Sequence, residues 1–153
     1  MVKVLFLCHG NICRSPMAEY VFKEMAKGYP IHIESKAVSA EEIGNPIYPA
    51  AARMLRQKGV PFGNHRARQI TKADYEAFDY ILVMEQYNLP RLTRIIGEDK
   101  VGKVHRLLDF TDTPGDIEDP WYSGAFEKVF DEIQAGCAGL LQHMKRTGDG
   151  YYA

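Results

Sequence analysis

The 153-residue sequence has no long hydrophobic run. An apolar stretch begins at Val2, but His9 and Asn11 interrupt it. It is therefore too short for a membrane-spanning helix or a signal peptide. We predict a chain that stays in the compartment where it is made and has no membrane partner.

The sequence also lacks a strong charge of either sign. Nineteen lysines and arginines stand against 20 aspartates and glutamates, which gives a net charge of −1. A chain with this balance has no general attraction to nucleic acid, so any anion-binding site must be local. We predict no nucleic-acid partner.

Cysteine is scarce, with only Cys8, Cys13 and Cys137. An odd number of cysteines without a secretory signal argues against a disulfide framework and favours free thiols in a reducing compartment. We therefore predict a cytoplasmic protein. Cys8, His9 and Cys13 lack the second close pair of ligands that a zinc site needs, so no metal site is predicted.

The sequence does contain an alternation of strand and helix patterns. Strands are predicted over 2–7, 31–39, 79–84 and 103–108. Five helices are predicted. The first follows Ser15 as N-cap, the second begins at Pro49, and the third follows a capping box of Thr71 and Asp74. The fourth covers 86–97, and the fifth covers the apolar stripe from 126 to 144. This alternation predicts a three-layer α/β fold with a parallel sheet, formed by one domain over residues 1–153.

The segment CHGNICRSP, residues 8–16, connects the first strand to the first helix. A short loop before a helix N-terminus can point several backbone N–H groups inward and form a cup for an anion. Gly10 and Asn11 suit such a loop, because both tolerate left-handed backbone conformations. Arg14 would add a planar set of donors for two oxygens of a phosphate.

Cys8 is expected in the same cup, because ligands of parallel sheets bind at the carboxyl ends of the strands. The donors that bind phosphate would also favour a thiolate on Cys8. The inferred chemistry is attack of sulfur on a bound phosphate, which gives a phosphocysteine intermediate. A cysteine at the end of a buried strand is more often a packing residue, so this interpretation depends on Asn11, Arg14 and Ser15.

The string CHGNICRSP resembles the active-site loop of the low-molecular-weight protein tyrosine phosphatases, including its position near the N-terminus. The segments EIGNP, HRARQIT, FDYILVM and EDPWY follow in the order and approximate spacing of that family. The resemblance therefore covers the whole chain. It implies a three-layer α/β/α fold with a central four-stranded parallel sheet in the order 2-1-3-4, and neither a metal nor a cofactor.

The resemblance also implies roles for individual residues. Cys8 would be the nucleophile, Arg14 the phosphate clamp and Asp119 the general acid and base. Asn11, Ser15 and His65 would support the loop, with a hydrogen bond expected between His65 and Asn11. The residues expected to bind phosphate are His9, Gly10, Asn11, Ile12, Cys13, Arg14 and Ser15.

The substrate pocket is expected to be formed by Ile12, Glu41, Trp121 and Tyr122. A flat phenyl ring favours an aromatic wall, which the Trp-Tyr pair can supply. Relatives that act on phosphoarginine have threonine at the Ile12 position, so the apolar residue favours phosphotyrosine. Glu41 and Glu42 near the pocket mouth predict a modest preference for peptides with basic residues.

Three different functions remain open: a thiol-type arsenate reductase, a phosphoarginine phosphatase, and a phosphopeptide-binding module without turnover. The reductase relays oxidation through two further cysteines, whereas this chain has only Cys137 beyond the loop. A binding module would not require Asp119. The expected partners are phosphotyrosine-containing proteins, and a monomer is expected. Cys13 either only fills space or forms a reversible disulfide with Cys8 on oxidation, as the resemblance to the family's paired loop cysteines implies.

Overall fold

The structure, a computed structural model, describes residues 1–149. Its centre is a sheet of four parallel strands in the order β2-β1-β3-β4. The order 2-1-3-4 is thereby confirmed. The strands are β1 Val2–Cys8, β2 Ile31–Ala37, β3 Tyr80–Val83 and β4 Val104–Arg106.

Helices cover both faces of this sheet. They are α1 Arg14–Met25, α2 Pro49–Gln57, α3 Lys72–Ala77, α4 Leu89–Ile96, α5 Pro120–Ser123 and α6 Phe126–Thr147. Short 3₁₀ turns precede α4 at Gln86–Asn88 and follow β4 at Leu107–Phe110. No helix within residues 1–149 is long and apolar enough to cross a membrane.

The central strand β1 explains the nearly continuous apolar run at the start of the sequence. Val4 and Phe6 belong to the core that α1, α2 and α6 cover, whereas Leu5 and Leu7 belong to the core under α3 and α4. All four side chains are fully buried. Alternating residues of a strand point to opposite faces, so a strand between two helical layers must be apolar throughout.

The prediction of Ser15 as the N-cap of the first helix was wrong. Helix α1 begins at Arg14, and its N-cap is Cys13, which makes no side-chain capping bond. The hydroxyl of Ser15 instead lies 3.0 Å from the sulfur of Cys8. The first turn of the helix is therefore part of the cup, and the Ser15 side chain faces Cys8.

The fourth strand is shorter than the predicted segment 103–108, because Leu107 begins a 3₁₀ turn. Helix α6 packs closely on this turn at two glycines. A Cβ at Gly136 would lie 2.5 Å from Leu107 Cγ, and one at Gly139 would lie 2.2 Å from the carbonyl oxygen of Phe110. These glycines lower the intrinsic stability of the helix by about 1 kcal/mol each relative to alanine, and the close packing requires them.

Candidate active site

The loop between β1 and α1 curls around the sulfur of Cys8. The backbone N–H groups of Asn11 and Ser15 point at Cys8 Sγ, with nitrogen to sulfur distances of 3.3 and 3.4 Å. The Ser15 hydroxyl lies on the same sulfur at 3.0 Å. Several donors that converge on one atom at a helix N-terminus stabilise negative charge there.

Asn11 holds the loop in this shape. It is fully buried and adopts a left-handed conformation, with φ of 62°, which asparagine tolerates. Its side-chain nitrogen donates to the hydroxyls of Ser15 (2.8 Å) and Ser35 (3.0 Å), and its side-chain oxygen accepts from the Arg68 N–H (3.1 Å). His65 Nε2 lies 2.8 Å from the Asn11 carbonyl oxygen. The side chain of Asn11 therefore links α1, β2 and the segment before α3.

Sequence reasoning missed Ser35 and Glu19, which extend this network. The Ser35 hydroxyl donates to Glu19 Oε1 at 2.6 Å, and Lys23 pairs with the other carboxylate oxygen at 2.6 Å. A signal existed in the sequence, because Ser35 occupies an inward position of β2 between the buried Ile33 and Ala37. A polar residue at an inward position needs a buried hydrogen-bond partner.

His65 is partly buried behind the loop. Burial lowers the pKa of its imidazole, and the hydrogen bond with the Asn11 carbonyl oxygen only partly offsets this effect. The neutral ring is therefore favoured near neutral pH. A neutral imidazole that carries its proton on Nε2 donates to the Asn11 carbonyl.

Arg14, the first residue of α1, is almost completely buried. Its Nη1 donates to the carbonyl oxygen of Ile117 at 2.9 Å and pairs with Glu85 at 3.1 Å. Its Nη2 lies 3.5 Å from Asp119 Oδ2. Glu85 therefore reaches the arginine and holds its guanidinium in place.

Asp119 is positioned by a short helix that the sequence did not predict. It is the N-cap of α5, and its Oδ1 accepts from the backbone N–H of Trp121 at 3.0 Å. Pro120 is the first residue of that helix. An N–H at this position has no partner within a helix, so proline loses no hydrogen bond there. The other carboxylate oxygen faces Arg14, so the acid stands at the pocket mouth.

These elements enclose a pocket of about 230 Å³ above Cys8. All four residues predicted for the substrate pocket line it. Asn11 and Ser15 lie behind the pocket. Their backbone N–H groups face the Cys8 sulfur. The lining residues are Cys8, His9, Gly10, Ile12, Cys13, Arg14, Glu41, Glu42, Asp119, Trp121 and Tyr122.

The rim of the pocket has a polar and an aromatic side. His9 Nε2 lies 2.6 Å from Glu41 Oε2 and connects the loop to the segment after β2. Trp121 packs on Tyr48 with ring centroids 4.7 Å apart, yet half of its surface remains exposed. Tyr122 is 86% exposed beside it.

The family model for the low molecular weight phosphotyrosine protein phosphatases matches residues 3–149. The chain belongs to this family. Its fold, with four parallel strands in the order 2-1-3-4, agrees with that assignment.

Two relatives match this chain over nearly its full length. Low molecular weight protein-tyrosine-phosphatase YfkJ of Bacillus subtilis is 38% identical over 152 residues, which cover 95% of this chain and 97% of that protein. Its crystal structure superposes with a TM-score of 0.91 over 96% of each chain. The human low molecular weight phosphotyrosine protein phosphatase is 40% identical, covering 91% of this chain and 93% of that protein.

A further structural relative of this phosphatase family member is the YwlE arginine phosphatase, whose structure has a phosphorylated serine in place of the active-site cysteine. It is 28% identical, with a TM-score of 0.84 over 94% of this chain and 96% of that one. The same fold therefore occurs in proteins named for two different phosphorylated residues.

The two remaining cysteines of this phosphatase family member differ in position. Cys13 lines the pocket, and its pKa is raised by burial and by the charge of Cys8, so it remains a thiol at neutral pH. Cys137 is fully buried on α6, with Sγ 3.8 Å from the carbonyl oxygen of Ala18. Within residues 1–149 no group of three or more His, Cys, Asp or Glu side chains is arranged to hold a metal ion.

Proposed function

We propose that this family member is a protein tyrosine phosphatase that acts through a phosphocysteine on Cys8, with Arg14 and the loop amides binding the phosphate. The observation that carries the proposal is the convergence of the Asn11 and Ser15 N–H groups and the Ser15 hydroxyl on the Cys8 sulfur. The names of YfkJ and of the human relative support the same substrate class.

In the first step, the Cys8 thiolate attacks phosphorus and the bond to the tyrosine oxygen breaks. Asp119 gives its proton to the departing phenolate oxygen, so that tyrosine leaves as a neutral phenol. Arg14 and the loop N–H groups bind the phosphoryl oxygens, which carry most of the charge in the transition state. The sulfur then carries the phosphoryl group.

In the second step, water attacks the phosphocysteine. The Asp119 carboxylate, which lost its proton in the first step, now accepts one from the water. The sulfur to phosphorus bond breaks, inorganic phosphate leaves, and Cys8 returns as a thiolate. The donors that face the sulfur stabilise it as a leaving group, as they stabilise it as a nucleophile.

The direct test is the turnover of a small aryl phosphate by purified variants. Cys8→Ser should abolish measurable turnover, because a serine hydroxyl in this cup is not ionised. Cys13→Ser is the matched control, since Cys13 lines the same pocket but carries no step, and it should retain most of the activity. Appreciable turnover by Cys8→Ser would contradict the phosphocysteine mechanism.

Ile12 supports phosphotyrosine over phosphoarginine as substrate. Its side chain lines the pocket, where a phenyl ring gains from apolar contact, at about 25 cal/mol per Å² of buried surface. Against the Ile12 side chain a charged guanidinium would lose hydration, and that side chain offers it no hydrogen-bond partner. The aromatic rim of Trp121 and Tyr122 favours a flat ring as well.

The substrate choice is tested with matched peptides that carry phosphotyrosine, phosphoarginine, phosphoserine or phosphothreonine. The phosphotyrosine peptide should give the highest kcat/KM, and Ile12→Thr should shift the ratio towards phosphoarginine. Ile12→Val, which keeps the apolar surface, should leave the ratio nearly unchanged. Equal or faster hydrolysis of phosphoarginine by the unaltered chain would overturn the substrate class and leave the thiolate mechanism standing.

Arsenate reduction and phosphopeptide binding without turnover receive less support. A thiol-type arsenate reductase would need Cys137 in the relay, and this side chain of α6 is fully buried against Ala18 of α1. A binding module has no use for Asp119, which α5 holds at the pocket mouth. We further propose a monomer in the cytoplasm that acts on phosphotyrosine-containing proteins.

A further inference from the structure

A groove of about 710 Å³ continues from the pocket along the surface. It shares His9, Glu41, Asp119 and Tyr122 with the pocket, so the two cavities adjoin. The remaining groove residues come from the segment around α4 and from the segment around α5: Glu85, Tyr87, Arg91, Glu118 and Ser123. We call this cavity the Arg91 groove.

The carboxylates of the Arg91 groove are already paired within the chain. The four pairs are Glu41 with His9 (2.6 Å), Glu85 with Arg14 (3.1 Å), Asp119 with Arg14 (3.5 Å) and Glu118 with Lys128 (2.7 Å). Glu85 and Asp119 share the single charge of Arg14, Lys128 meets Glu118, and His9 meets the charge of Glu41 only when its ring is protonated. Paired carboxylates attract a basic ligand weakly.

Arg91 differs from these groups. It is an exposed residue on α4, and no residue within 1–149 forms an ion pair or hydrogen bond with its side chain. Its guanidinium is therefore available for an external carboxylate, which it can bind through two parallel hydrogen bonds. Arg91 therefore adds to the groove a positive charge that forms no ion pair within residues 1–149.

Two exposed aromatic rings stand in the same groove. Tyr87 is 71% and Tyr122 is 86% exposed, although both are large side chains with apolar faces. Tyrosine and arginine are the residue types enriched where proteins bind other proteins. This pairing of exposed rings with an unpaired guanidinium suits a peptide that has both apolar and acidic groups.

We propose that the Arg91 groove binds the substrate residues on one side of the phosphotyrosine and that Arg91 selects an acidic side chain there. The inference rests on the proposed function, because phosphate bound above Cys8 fixes where the peptide enters the groove. Once the phosphotyrosine is bound, its neighbours meet the groove at a high effective concentration. Even a modest contact with Arg91 then distinguishes substrates.

Glu42 is an acid of the pocket that lies outside the Arg91 groove. Its carboxylate accepts from Asn45 at 2.5 Å instead of pairing with a cation. Glu41, the other acid from which the sequence predicts a preference for basic residues, lines both cavities, and that preference stays a prediction. A peptide with an acidic residue on only one side of its phosphotyrosine should therefore bind best when that side enters the Arg91 groove.

The experiment uses two phosphotyrosine peptides, which carry glutamates either before or after the phosphotyrosine, and compares Arg91→Glu with Arg94→Glu. Arg94 is exposed on the same helix and does not line the groove. Both variants replace an arginine with a glutamate, so they have the same net charge. Arg91→Glu should lower kcat/KM about fivefold to tenfold for one of the two peptides. Arg94→Glu should leave both nearly unchanged, and 0.5 M salt should remove the difference, since salt screens exposed charges.

A small aryl phosphate, which does not reach the groove, should be hydrolysed equally by all three proteins. Equal effects of the two variants, or equal losses for both peptides, would overturn the proposal and leave the proposed function intact. If the unaltered chain hydrolyses the aryl phosphate but neither peptide, the proposed function fails, and this inference fails with it.

Discussion

Asn11 shows how one residue can control the shape of a catalytic loop. Its left-handed backbone turns the chain so that its N–H faces the Cys8 sulfur, and its side chain fixes that turn through Ser15 and Ser35. Local residue type predicts the turn, because asparagine tolerates this conformation. The partners that hold it come from β2 and from the segment before α3.

Asp119 provides a prediction at the same scale. Asp119→Ala should lower turnover most for aryl phosphates with poor leaving groups, by about 10²–10⁴-fold, and least for activated ones. The physical reason is that a stable phenolate leaves without a proton, whereas a basic one does not. The measurement is kcat over a series of substrates whose leaving groups differ in pKa.

Glu118→Ala is the matched control for Asp119. Glu118 is the preceding acid and pairs with Lys128 on the surface. Any change in kcat that Glu118→Ala causes should be the same for good and poor leaving groups. A loss for Asp119→Ala that is constant across the series would assign proton transfer to another group.

At the scale of elements, the last helix shows packing prevailing over propensity. Gly136 and Gly139 are poor helix formers within the long α6, and intrinsic propensity alone would favour alanine at both positions. The glycines let α6 approach the turn at Leu107–Phe110, which carries the chain away from β4. The contact between these elements determines the residue type.

Gly139→Ala should therefore destabilise the fold although it improves helix propensity. The new methyl group would lie 2.2 Å from the Phe110 carbonyl oxygen, and such overpacking costs about 1–3 kcal/mol or more. Ala138→Gly, at the exposed neighbouring position, should cost about 1 kcal/mol through propensity alone. Denaturant unfolding measures both values, and a more stable Gly139→Ala would refute the packing explanation.

At the scale of the whole molecule, the cup connects phosphate binding to overall stability. Arg14 on α1 contacts Ile117, Glu85 and Asp119, all of which lie far from it along the chain. These contacts exist only in the folded state, so an anion that binds the cup stabilises that state by mass action. The site and the fold are thermodynamically coupled.

Inorganic phosphate should raise the melting temperature at constant ionic strength. At 100 times its Kd the expected stabilisation is about 2.7 kcal/mol. Cys8→Ser should keep the effect because the cup remains, whereas Arg14→Ala should lose most of it. Thermal unfolding with phosphate or with chloride measures the difference, and an equal rise for Arg14→Ala would show that phosphate binds elsewhere.

The sequence by itself determined the class of the fold and the residues of the loop. The alternation of strand and helix patterns is local, and so are the spacing from Cys8 to Arg14 and the capping box of Thr71 and Asp74, which the structure confirms. Local patterns are readable because hydrogen bonding and burial within one element repeat with its period. The strand order came from the resemblance to the family.

The tertiary structure alone decided which distant groups surround that loop. The pairing of Arg14 with Glu85, the contact of Ser35 with Asn11 and the unpaired state of Arg91 have no local pattern. Parallel strands bring their carboxyl ends together at one edge, so residues that follow different strands meet there. Which side chains then pair depends on packing of all the layers, and no short segment of sequence encodes it.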